Sequence, residues 1–172
     1  MHANFQTTHH QFLSYIVSLS EQEYGYAHNE KWTAGQQLHH INLCLQPIAQ
    51  AIASKEFIAQ KFGTIERPIW EYDTVIGNYT NALAQGGKAP DRFVPQQQQT
   101  PPDKTILAAE LNQLLQTIQQ HLETYTDTEL DTLVLPHPLL GKLTIREMMH
   151  LMAYHATHHH QQTKQNLQSF TQ

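Results

Sequence analysis

The stretch TIREMMHLMAYHATHHH, Thr144 to His160, reads as a capped helix whose apolar stripe runs into histidines. Thr144 and Glu147 have capping-box spacing, in which the hydroxyl accepts a backbone N–H and the carboxylate reaches back. Leu143 and Met148 are placed as a hydrophobic staple across that cap. At about 100° per residue, Ile145, Met148, Met149, Met152 and Ala156 share one face. His159 falls about 20° from the Met152 direction and His155 about 60°, so both continue the stripe inward. His158 and His160 point about 120° and 80° away, and His150 lies nearly opposite.

Two buried imidazoles four residues apart need partners, because a polar ring without them is costly in a core. Hydrogen-bonded core histidines meet that need in some proteins, but two on one stripe, a turn apart, favour a divalent metal. A third ligand has to come from another helix. The segment that starts at Thr33, with Thr33 and Gln36 as a second capping box, continues through Leu38, Ile41, Leu45, Ile48 and Ile52. His40 sits at the edge of that apolar stripe and His39 almost opposite, so His40 is the candidate and His39 is expected in solvent. Three protein ligands leave one coordination position open, the arrangement of a catalytic centre more than a structural one. Cys44, one turn after His40, is either a small buried residue, the favoured reading, or a fourth ligand or nucleophile.

Elsewhere helical periodicity covers about His9 to Gln22, Pro68 to Gln85 and Pro101 or Asp103 to Thr124, and Pro47 predicts a kink in the second helix. Gly86-Gly87 ends the third segment. Residues 88–102, with four prolines and a glutamine run, read as a loop, either a lid or an inert crossover. Leu133 to Gly141 is too rich in proline for a helix and reads as extended or turn structure.

The chain has 172 residues, one cysteine and a net charge of −5 without a basic block. One domain spanning 1–172 is expected, with no internal disulfide, no nucleic-acid partner and no membrane span, in the cytoplasm. Thirteen histidines against ten lysines plus arginines are unusual, and they matter only where they converge. No glycine-rich phosphate loop or nucleophile elbow is present.

Three motifs in order carry a family resemblance. Residues 31–41, Lys31-Trp32-Thr33 through His40-Ile41, resemble the W-S/T-x-x-E/Q-x-x-x-H-L signature of DinB-like, or YfiT-like, metal-binding proteins. His137-Pro-Leu-Leu-Gly141 through Glu147 is similar to their H-P-x-L-G-x-L-T-x-R-E motif, and His155 to Gln162 to their H-x-x-H-H-x-x-Q. Gln36 stands where glutamate is common, Ile41 replaces leucine, and His160 is an extra histidine.

The resemblance implies an all-α fold: an up-down-down-up four-helix bundle with a long crossover loop and a short extra helix. It implies nickel or zinc held by His40, His155 and His159, the residues the helical wheels select on their own. It further implies a homodimer and a small-molecule substrate, with thiol-dependent transfer of the bacillithiol type as the leading activity. Metal-dependent hydrolysis is the alternative, and a non-catalytic metal-binding or stress-response bundle is the rival. Glu147 and Tyr154 are candidates to support the metal or, equally, a cap and an ordinary helix-surface residue.

Overall fold

The computed structural model describes residues 2–95 and 103–170. Its elements in order are α1 (His2–Ser18), α2 (Glu21–Gly25), α3 (Ala34–Ala51), α4 (Lys55–Lys61), α5 (Tyr72–Ala84), a 3₁₀ turn (Asp91–Phe93), α6 (Lys104–Leu122), α7 (Asp127–Thr132), β1 (Val134–His137), β2 (Gly141–Thr144) and α8 (Ile145–Leu167). The fold is all-α, with the two short strands forming one antiparallel ribbon in register Val134 to Thr144.

Four long helices, α1, α3, α6 and α8, form the bundle, and α5 packs against α8. Their directions follow from contacts. Gln6 bonds the Leu115 carbonyl and Lys104 the Leu19 carbonyl, so α1 and α6 run antiparallel. His40 meets His155 and Gln37 meets His159, so α3 and α8 are antiparallel too. Just beyond α1, the Tyr26 hydroxyl and the His28 amide bond Ser169 and Asn166 at the far end of α8, which makes α1 and α8 parallel. The order is therefore up-down-down-up, with the crossover between α3 and α6.

The core is built from apolar stripes on the four helices: Phe12 and Ile16 from α1, Leu38, Ile41 and Leu45 from α3, Leu111, Leu115 and Ile118 from α6, Met149 and Leu151 from α8, all at 1% exposure or less. Each such side chain contributes about 1.5–3 kcal/mol by leaving water. Both expected capping boxes form, at Thr33 with Gln36 and at Thr144 with Glu147. Gly35 lets α3 approach α2, since a Cβ there would lie 2.9 Å from the Tyr24 ring.

Several boundaries differ from the reading above. α1 starts at His2, because Phe5 and His9 extend its buried stripe, and it ends at Ser18, because Ser20 and Glu23 make a capping box that begins α2. Val17, next to the buried Ile16 on α1, is 52% exposed. α5 begins at Tyr72 and not Pro68, since Arg67 and Trp70 are held by Glu147 in a non-helical approach. α3 runs unbroken through Pro47. Residues 96–102 of the expected loop lie outside the described residues. No helix among the described residues is long and apolar enough to cross a membrane.

Candidate metal centre

His40 projects from α3 and His155 and His159 from α8, at 3%, 6% and 5% exposure. The Nε2 atoms of His40 and His155 are 3.2 Å apart, and those of His159 and His155 are 3.0 Å apart. All three ligand atoms lie within 4.8 Å of one another, so the trio could hold a metal ion. At metal–nitrogen bonds of about 2.0–2.1 Å, ligand nitrogens sit about 2.8–3.0 Å apart in a facial octahedral set and about 3.3–3.4 Å apart in a tetrahedral one, a span of about 2.8–3.4 Å. The two measured separations fall in that range.

The outer nitrogens decide which atoms face inward. His40 Nδ1 donates to the Phe93 carbonyl at 2.6 Å, and His159 Nδ1 donates to Gln37 Oε1. A carbonyl oxygen only accepts, so both rings carry their proton on Nδ1 and present an Nε2 lone pair to the centre. Burial pushes all three rings toward the neutral form. For His155 and His159, repulsion from neighbouring histidines adds to burial; for His40, the Phe93 carbonyl opposes it. His155 Nε2 sits between the His40 and His159 lone pairs, at distances where it can donate a proton to them or join them as a third ligand of a cation.

Trp32 packs beside two of the rings. Its ring is 5.0 Å from that of His40 and lies nearly parallel to that of His159 at 6.2 Å. Asn166, 1% exposed, fixes the strap before it, accepting from the His28 amide and donating to the Tyr26 and Trp32 carbonyls.

The three rings open into a cavity of about 900 Å³ walled by Trp32, Cys44, Tyr79, Phe93, His137 and Met152 among others. The His137 ring accepts the Leu139 and Leu140 amides at Nδ1, which puts its proton on Nε2. Burial pulls its pKa down to about 4, so it is a neutral donor. Burial, with Cys44 and Tyr154 nearby, pushes the Tyr79 phenol up to about 12, so that group also keeps its proton.

The remaining candidates separate cleanly. Cys44 Sγ is 3.6 Å from His40 Nε2 but outside the converging set, and burial pushes its thiol up to about 12. It faces the cavity and is only partly buried, in place of the core position favoured from the sequence. His158 bonds Gln162, and His160 packs on Tyr15 at 4.8 Å. His39 is partly buried, not fully in solvent. Glu147 is the α8 cap and the partner of Arg67, and Tyr154 packs on Tyr79 and His158.

Sequence reading missed Gln37, although it shares the stripe of Ile41 and Leu45 and is 3% exposed. It missed the Phe93 carbonyl too, and a loop backbone atom leaves no periodic signal.

A family model described as the DinB superfamily matches residues 4–163. No curated protein and no solved structure matches the chain.

Proposed function

The chain belongs to the DinB superfamily, and on that premise we propose that it is a metal-dependent thiol S-transferase of the bacillithiol-transferase type. In this reading His40, His155 and His159 are the ligands of a nickel or zinc ion. The observation that carries it is the convergence of three neutral imidazole nitrogens at the wall of an open cavity. A purely structural site is closed by protein on all sides, whereas this one keeps a face toward about 900 Å³ of space.

A divalent ion supplies a Lewis acid that lowers the pKa of a thiol in its open position. The protein's own groups do the rest. Phe93 and Gln37 orient the ligand rings, and Trp32 packs beside two of them. His137 and Tyr79, both protonated and neutral, offer donors to an oxygen of the electrophile. The apolar wall at Met152 takes its carbon body. Pairing as a homodimer belongs to the same proposal. Val17 and Ile106, exposed on α1 and α6, supply apolar surface for it, and light scattering checks it.

The test uses chain purified without a histidine tag and loaded with zinc or nickel. Small thiols are screened with electrophiles, alongside ester and amide substrates. Loss of thiol matched by conjugate is the expected result. Hydrolysis without thiol loss assigns the centre to hydrolysis, and silence in both arms with metal bound assigns it a structural role.

A further inference from the structure

Two of the three rings have an acceptor behind them, Phe93 for His40 and Gln37 for His159; His155 Nδ1 is buried with no partner among the described residues. Resting on the metal reading above, we propose that His9 is its outer partner. Through one interposed water, His9 Nε2 accepts the hydrogen bond that His155 donates from Nδ1–H.

The roles of the atoms match. His9 is 1% exposed on α1, and its Nδ1 donates to the Phe5 carbonyl at 2.8 Å. Its proton is therefore on Nδ1, and Nε2 carries a lone pair that is buried and unpartnered among the described residues. Burial pulls His9 down to about 4, so it stays neutral and keeps that lone pair. His155 uses its Nε2 toward the metal, so its proton sits on Nδ1. His155 Nδ1–H thus lacks an acceptor and His9 Nε2 lacks a donor, while His160 Nε2, stacked beside Tyr15, is a further buried nitrogen without a partner among the described residues.

The positions match as well. In the parallel pair α1 and α8, Tyr15 and Phe12 stack on His160 at 4.8 and 6.2 Å. His9 lies three and six residues before Phe12 and Tyr15, and His155 five before His160, so the two stand at a similar height along the paired helices. Were both rings protonated they would repel each other, a coupling that supports their being neighbours across α1 and α8. They make no direct hydrogen bond, so a single water is the natural link, and buried waters occupy such sites. Asn42 Oδ1 is another buried acceptor without a partner, but its amide is tied to Leu107 on α6. His9 is thus a positioning residue that never touches substrate.

Zinc is titrated into the wild-type chain, His9→Leu and His9→Gln against a chromophoric chelator, and each metal-free form is melted. His9→Leu is expected to bind zinc about 10–100-fold more weakly. Its metal-free melting temperature should be about equal, because leucine fills the buried volume and gives up only the local hydrogen bond to the Phe5 carbonyl. A purely structural role for His9 would lower that temperature and leave affinity alone. His9→Gln keeps an acceptor oxygen and is expected to recover most of the affinity. Equal zinc affinity in His9→Leu and wild type overturns the proposal while leaving the metal reading intact; a wild-type chain that binds no zinc overturns both. Should His9→Leu not fold, ¹⁵N-histidine spectra of the zinc-loaded wild type decide. A protonated His9 Nδ1 with an accepting Nε2 and an exchange-protected His155 Nδ1–H supports the link, and a proton on His9 Nε2 overturns it.

Discussion

Gln37 holds the His159 ring by a single hydrogen bond to Nδ1, and that bond aims the Nε2 lone pair. Replacing Gln37 with leucine keeps the side chain's bulk and removes the acceptor. Zinc or nickel affinity should fall about 10–100-fold, as read by competition with a chelator, with little change in the metal-free fold. An unchanged affinity would mean that packing against Trp32 alone orients the ring. The three histidines were legible in the sequence because regular helices turn by a constant angle, so spacing alone says which side chains face inward. Gln37 obeyed the same rule and was legible in principle. Cys44 was harder: its direction toward the core was readable, but a cavity beside His40 depends on how the 3₁₀ turn at Asp91–Phe93 packs.

The start of α8 is fastened by one carboxylate. Glu147, fully buried, accepts from the Thr144 and Trp70 amides and pairs with both Arg67 nitrogens. Burial alone pushes its pKa up, but Arg67 and the two amides outweigh that and hold it below the usual carboxylate value. A folded-state pKa below the unfolded one gives stability that is present above the unfolded value, about 4.3, and is lost as pH falls through and below it. Thermal melts should therefore show a loss between about pH 5 and 3 that is much smaller in Glu147→Gln. Glu147→Ala, which leaves Arg67 partly buried without its anion, should cost about 3–5 kcal/mol. An acid profile identical in wild type and Glu147→Gln would remove this residue as the cause. The long elements and both of these caps were readable because they span several turns. α2 and α7, at five and six residues, fall below the window in which a period shows. Their capping boxes, Ser20 with Glu23 and Thr126 with Glu129, were the only signals they carried.

Across the whole molecule the proposed metal centre would tie α3 to α8, and a ligand that binds only the folded chain raises its stability by mass action. With free zinc at 100 times its dissociation constant the gain is about 2.7 kcal/mol, an upshift of about 5–10 °C for a chain of this size. His155→Ala should show no upshift, and a wild-type melting temperature that ignores zinc and nickel would count against the centre. The up-down-down-up order came from the resemblance, since nothing in periodicity says which helices run parallel. The contacts of Gln6, Lys104 and Tyr26 supply that from the structure itself.

His40 and His155 meet across 115 positions of the chain. During synthesis His40 is made long before either of its partners, and no shorter stretch of the sequence can assemble the trio. In the metal reading, loading is therefore a closing event: all three rings can take an ion only after α8 has been made and has docked on α3, so a bound metal would report that these two helices have met.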